Sequence, residues 1–199
     1  MMKIGITGGI GSGKTTVCRI FETLGIPVFY ADEESKNILF TDSSVLKQVR
    51  EVFGDEVFSD GIPDRRKLAT IVFSNPEKLR QLNSILHSAV FQQFDKWILE
   101  KKDSSYILLE AALIYETGRE KFLDQVIVVS APEEIRIKRI RMRDKISEAD
   151  VKARIRQQDS QESKEQKADF IIENDENQLL IPQVMEIHEK LLASAKGNN

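Results

Sequence analysis

The sequence predicts an α/β fold with a five-stranded, mostly parallel sheet, and three observations carry that expectation. A short apolar run enters a glycine-rich loop that opens into a helix at the start of the chain. Four further apolar runs alternate with stretches of helical periodicity, the arrangement that makes parallel sheets. Between the second and third strands, residues 33–100 read as helix throughout, too long for an ordinary crossover.

Taken in order, Lys3-Ile4-Gly5-Ile6-Thr7 is the first strand, and Thr15 to Phe21 carries apolar residues at helical spacing. Between them, Gly8-Gly9-Ile10-Gly11-Ser12-Gly13-Lys14-Thr15 reads as G-x-x-x-x-G-K-[ST], a phosphate-cradling loop. Glycines let the backbone curl so that successive N–H groups face phosphate oxygens. The following helix adds its free N–H groups and dipole. Gly9, Ile10, Gly11, Ser12, Gly13, Lys14, Thr15 and Thr16 are therefore the expected nucleotide-binding run. Lys14 can reach the β- and γ-phosphates, and Thr15 Oγ can ligate Mg²⁺.

The first helix is expected to end near Leu24, with Gly25 as its left-handed cap. Ile26-Pro27-Val28-Phe29-Tyr30 is the second strand, ending at Ala31-Asp32. Ligands of open α/β sheets sit beyond the carboxyl ends of strands, which places Asp32 near the mouth of the loop. The alternative is a cap for a helix starting at Glu33, and one residue can do both. Asp42 or Ser43 caps a helix ending near Phe53-Gly54, and Asp64 opens one from Arg65 to Phe73. Asn75 caps a long helix through Trp97, with Pro76 at its first position. In a phosphoryl-transfer enzyme such an insertion is a place for an acceptor-binding subdomain.

Tyr106 to Glu110 is the third strand, and Glu110 at its end can hold Mg²⁺ through water. The alternative for Glu110 is a helix-capping or solvated acid. Gln125 to Ser130 and Phe170 to Ile172 complete the sheet, and a last helix runs from about Asn177 to Ala193. Gly197-Asn198-Asn199 is expected to fray.

Arg136 to Lys145 holds six basic residues in ten, with Pro132 suited to start their helix. Arg136, Arg139 and Arg143 share one face, and Lys138, Arg141 and Lys145 another. Ser147 starts a further helix with Asp150 as a capping-box-like partner. Three readings of the basic run compete. It is a solvated helix face, a patch for RNA, or an arginine lid over a triphosphate. No aromatic is interleaved to stack on bases, and a phosphate loop shares the chain, which favours the lid.

Composition narrows the class. The chain has 199 residues, 41% hydrophobic and 31% charged, with a net charge of −3. That suits one α/β domain with insertions and argues against general nucleic-acid affinity. The one cysteine, Cys18, reads as a small core residue and rules out a disulfide framework within one chain. With no signal-peptide pattern and no run of membrane-span length, the expectation is a soluble, cytoplasmic protein without a membrane partner. Its oligomeric state stays open between a monomer and a weak homo-oligomer. A guanine-nucleotide switch would need a late N/T-K-x-D element, which is absent. A small kinase remains.

Here the residues converge on a family. From Lys3 to the final helix the sequence closely resembles the bacterial dephospho-coenzyme A kinases. Gly5 to Val17 is similar to their G-L-T-G-G-I-G-S-G-K-S-x-V, and Tyr30-Ala31-Asp32 to their D-A-D with tyrosine for the first acid. Gly61 to Leu68 resembles G-x-L-x-R-x-x-L, with Pro63 for the first leucine and Arg65 at the arginine. Leu82 to His87 matches L-N-x-I-x-H, though Ser88 replaces the proline that follows. Glu110 to Glu116 is similar to D-x-P-L-L-F-E, with Glu110 for aspartate and Ala112 for proline. Arg139 and Arg143 fall on R-x-x-x-R, while Arg136 stands where glutamine is usual. Gln158, Lys164, Ala168-Asp169 and Asn174 match the late Q, K/R, A-D and N pattern, without the glycine that normally follows.

The resemblance implies ATP-dependent phosphorylation of the ribose 3′-hydroxyl of dephospho-CoA. It implies a three-layer α/β/α phosphate-loop kinase fold in a single domain. The core would be about 1–32, 101–135 and 159–199, the helical acceptor-binding subdomain about 33–100, and the lid about 136–158. Asp32 would orient the acceptor hydroxyl, and Lys14, Mg²⁺, Arg139 and Arg143 would share the transferred charge. Arg65 and His87 would contact the acceptor, although His87 fits a locally bonded helix residue equally well. Asn174 lies where adenine could be held, or serves a turn. A kinase for another small hydroxylated acceptor is one alternative to this reading. A non-catalytic ATP-dependent or RNA-binding protein is the other.

Overall fold

In a computed structural model, which describes residues 1–197, the chain runs β1 (Met2–Thr7), α1 (Lys14–Thr23), β2 (Val28–Tyr30), α2 (Ala31–Thr41), α3 (Ser43–Phe53), β3 (Phe58–Ser59), β4 (Ile62–Pro63), α4 (Arg65–Ser74), α5 (Pro76–Leu99) and β5 (Tyr106–Glu110). It continues through β6 (Gln125–Ser130), α6 (Glu133–Asp144), α7 (Glu148–Ile155), α8 (Gln161–Glu165), β7 (Phe170–Glu173) and α9 (Leu180–Gly197). Two compact units result. One holds Met1–Tyr30 and the residues from Lys101 on, and the other holds Ala31–Glu100.

The first unit is an α/β sandwich. Its five parallel strands lie in the order β2-β5-β1-β6-β7, so β1 sits at the centre. The strands read as unbroken apolar runs because both faces are covered, as parallel sheets require. Ile4, Ile6, Tyr106, Leu108, Ile127, Val129 and Ile172 meet Val17, Cys18 and Phe21 of α1 and Val184, Ile187 and Leu191 of α9. On the opposite face Gly5 leaves room for Leu123 and Ile114, whose methyls stand where its Cβ would be. α6 and α7 build a smaller cluster of Ile137, Ile140 and Val151, onto which Ile10 of the loop packs.

The second unit is organised around α5, against which α2, α3 and α4 pack. Its helices start where local hydrogen bonding dictates. Asp42 accepts from the N–H groups of Ser44 and Val45, Asp64 from Arg66 and Lys67, and Asn75 from Glu77 and Lys78. One expectation fails here, because the stretch is not all helix. β3 and β4 form an antiparallel hairpin. Asp60 and Gly61 make its turn, both with positive φ (52° and 80°), the geometry that favours Asp-Gly in two-residue hairpins.

Three boundaries also shift. β2 begins at Val28, two residues late. α2 begins at Ala31, so Asp32 lies inside its first turn rather than capping a helix at Glu33. α9 begins at Leu180 rather than Asn177, because Asp175 takes the N–H groups of Asn177 and Gln178 into a turn of its own. At the other end Gly197 is still helical, and the expected fraying of Asn198 and Asn199 lies outside the described residues. Among the described residues no helix is long and apolar enough to cross a membrane.

Candidate active site

The loop between β1 and α1 is held open by glycine conformations that other residues resist. Gly11 and Gly13 have φ of 83° and 96°. A Cβ on Gly8 would meet the Val129 carbonyl, and one on Gly13 the Asn174 amide. Gly13 caps α1 without a side chain; its own carbonyl takes the Thr16 and Val17 N–H groups, and the N–H groups before them lie at a helix N-terminus, which favours an anion. Thr15 and Thr16 are exposed on that turn. Ser12 is fully buried, and its Oγ has no hydrogen-bond partner.

Lys14 is brought back over the loop. Its Nζ donates to the Gly8 carbonyl at 3.2 Å and lies 4.0 Å from Glu110 Oε1. Glu110 ends β5 and is only 6% exposed, which excludes the solvated alternative for this residue. A buried cation and carboxylate at the carboxyl edge of a parallel sheet is a charged centre that a polyanion can enter. Cys18 is fully buried, the place of a small core residue, and burial together with the nearby Glu110 pushes its thiol well up. Beside it, burial and neighbouring charge raise the Tyr30 hydroxyl well above its ordinary value.

Immediately after β5, Ala112 is pinned by two donors. Thr7 Oγ1 reaches its carbonyl at 3.2 Å and Lys164 Nζ at 3.0 Å. Lys164 is fully buried and also pairs with Glu116 at 2.8 Å, and Glu116 in turn accepts from the Asp159 N–H. These residues link β1, the β5 exit and the segment before α8.

The basic run of α6 divides three ways. Arg136 is buried, its Nε donates to the Ala131 carbonyl, and its guanidinium lies against Gly9. Arg139 reaches the other shoulder of the loop. It donates to Ser12 O at 3.5 Å and to Asn174 O at 3.1 Å, and it pairs with Glu176 at 3.3 Å. Asn174 Nδ2 donates to the same Ser12 carbonyl at 2.7 Å. Asn174 thus braces the loop rather than standing apart in a turn. Arg143, one helical turn on, closes instead on its neighbour Asp144 at 2.7 and 3.1 Å. Arg154 joins the same carboxylate, and the two arginines hold the Asp144 carboxyl below the usual range. Lys145, expected on the second basic face, has left the helix as its left-handed cap. The run is therefore not a uniformly solvated face.

Two loop N–H groups are taken by side chains, and the Ser12 N–H goes to the Gly9 carbonyl. Gly9 donates to Gln161 Oε1 and Ile10 to Gln158 Oε1. Of the residues at the loop, Arg136 and Gln161 escape a reading by resemblance. Arg136 departs from the family's glutamine, and its position at the start of the helix leaving β6 was the available signal.

The second unit carries the remaining candidates. Asp32 is exposed on the first turn of α2. Arg65 begins α4, its guanidinium 4.5 Å over the Phe40 ring, a contact that fixes its direction. His87 is half-buried midway along α5.

Comparison with known proteins follows the same lines. The family model described as dephospho-CoA kinase matches residues 2–179. A dephospho-CoA kinase of Bacteroides fragilis (strain YCH46) is 40% identical over 203 residues, covering 99% of each chain. The crystal structure of TT1252 from Thermus thermophilus superposes with a TM-score of 0.82 at 32% identity, covering 97% of both chains. A dephospho-CoA kinase from Campylobacter jejuni gives 0.70 at 30% identity over 99% of this chain and 98% of that one.

Proposed function

The chain belongs to the dephospho-CoA kinase family, and on that premise we propose which residues carry the transfer of a phosphoryl group from ATP to the ribose 3′-hydroxyl of dephospho-CoA. The observation that carries the donor half is the loop itself. Its open helix end, capped only by left-handed Gly13, stands beside the inward-turned Lys14. N–H groups of the loop and helix start, those of Gly11, Gly13 and Thr15, together with Lys14 Nζ, hold the β- and γ-phosphates of ATP. Arg139 and Asn174 keep the loop in shape from one side.

Thr15 and Glu110 offer hard oxygen donors suited to Mg²⁺, with phosphate oxygens and water completing the shell. Held there, Mg²⁺ would supply neutralisation of charge on the transferring phosphates. Asp32 orients the acceptor. Its carboxylate accepts a hydrogen bond from the 3′-hydroxyl, and the oxygen of that hydroxyl attacks the γ-phosphorus. The bond to the β,γ-bridging oxygen breaks, ADP leaves, and the hydroxyl proton passes to Asp32 and on to solvent. The transition state is loose, so alignment matters more than the basicity of Asp32. Arg65 and His87 contact the acceptor from the helical subdomain. Arg143 joins the transferring phosphate when the α6–α7 lid closes, which requires it to leave Asp144. The setting is cytoplasmic.

The test is coupled ADP release from ATP and Mg²⁺ with and without dephospho-CoA. ADP is expected only with the acceptor, and Asp32→Asn should lose turnover by roughly two orders of magnitude or more while still binding ATP. Equal ADP release without acceptor, or none with it, sinks the assignment. A panel of other hydroxylated acceptors distinguishes substrate choice from kinase activity as such.

A further inference from the structure

The glutamine contacts on the loop have a consequence for where the triphosphate sits. Ile10 N donates to Gln158 Oε1 at 2.9 Å and Gly9 N to Gln161 Oε1 at 3.2 Å. Both acceptors come from the segment that leaves α7, about 150 residues along the chain. Gln161 is held in one orientation. Its Nε2 donates to Glu165 Oε1 at 3.0 Å, so its carbonyl must face Gly9. Glu165 is fixed in turn by the Ser130 hydroxyl at 2.6 Å. The Ile10 side chain packs on the α6–α7 cluster of Ile137, Ile140 and Val151, so this residue is held through its side chain as well as its backbone. Arg136 closes the remaining side of Gly9.

We propose that Gln158 and Gln161 are positioning residues that set the register of the triphosphate on the loop. By filling the Gly9 and Ile10 N–H groups, while the Ser12 N–H goes to the Gly9 carbonyl and the Thr16 N–H to the Gly13 carbonyl, they leave the anion cradle to the Gly11, Gly13 and Thr15 N–H groups with Lys14 Nζ. They also tie the segment that follows α7 to the loop. A neutral amide oxygen is a weaker acceptor than a phosphate oxygen. Two of them resist displacement here because Glu165 and the Ile10 packing hold both sides of the contact in advance. The inference rests on reading the loop as the ATP site.

The test uses the full chain, isotope-labelled, with MgADP as the probe. Scalar couplings across hydrogen bonds report Gly9 N to Gln161 Cδ and Ile10 N to Gln158 Cδ directly. They are expected in the free protein and again with MgADP, while the amide signals from Gly11 to Thr16 shift. The double variant Gln158→Met/Gln161→Met keeps side-chain length and removes both acceptors. Its KM for ATP should rise about tenfold, with thermal stability and the KM for the acceptor near those of the parent. Couplings that vanish on adding MgADP, with Gly11 to Thr16 still responding, overturn the register role and leave the ATP site intact. A double variant with a KM for ATP within twofold of the parent overturns it as well. If no loop amide responds to nucleotide, the ATP reading falls and takes this one with it.

Discussion

Replacing Lys164 by methionine should be among the most destabilising single changes in the first unit. Lys164 is fully buried, and its ammonium makes two contacts, at 2.8 Å to Glu116 and 3.0 Å to the Ala112 carbonyl. Methionine fills nearly the same space, so cavity formation is not the issue. The cost comes from what stays behind. Glu116 keeps only the Asp159 N–H on Oε1, and its Oε2 already has no hydrogen-bond partner. Removing one partner of a buried pair costs about 3–5 kcal/mol for this reason. For a chain of this size each kcal/mol moves the melting temperature by about 2–4 °C, so the variant should melt roughly 6–20 °C below the parent. Differential scanning calorimetry and urea unfolding of the purified variant check both figures. The double variant Lys164→Met/Glu116→Gln should recover most of the loss, since no unpaired carboxylate remains. A single variant within about 1 kcal/mol of the parent, or a double variant worse than the single, would refute the reasoning.

Three further outcomes follow from the same geometry. Gly13→Ala must hold φ of 96° with a Cβ facing the Asn174 amide. A left-handed conformation costs about 1–2 kcal/mol for a non-glycine residue, so ATP affinity by calorimetry should fall roughly tenfold or more. Asp144 is held below its ordinary value by Arg143 and Arg154. Its contribution to stability is therefore complete above the ordinary carboxylate pKa and is lost as pH falls through the lowered one. Acid unfolding followed by circular dichroism should have a shallower acid limb in Asp144→Asn, and a carbon-13 titration should place the Asp144 midpoint below that of a free aspartate. Cys18 is fully buried, with its thiol pushed up by burial. A colourimetric thiol reagent should leave it untouched in native protein and titrate it in urea.

What the sequence revealed and what it hid divide along the range of the interactions involved. The three caps Asp42, Asp64 and Asn75 were legible because each is a hydrogen bond to a backbone N–H two or three residues away. The strands of the parallel sheet were legible because burial on both faces leaves unbroken apolar runs, and the loop because left-handed backbone demands glycine. The hairpin was not, because two-residue strands are too short to show alternation. Asp60-Gly61 is its one local signal. The arginines of α6 show how far helical spacing reaches. Helical spacing put Arg136, Arg139 and Arg143 on one face, and that is all spacing can say. Arg136 lies against Gly9, Arg139 reaches Ser12 and Asn174, and Arg143 pairs with Asp144, each one helical turn further along α6. Gln161 on Gly9 is likewise a contact between residues 152 apart that no local pattern encodes. The phosphate loop is thus readable as a motif, while the braces that hold its shape depend on how β6, α6 and the segment after α7 converge on it.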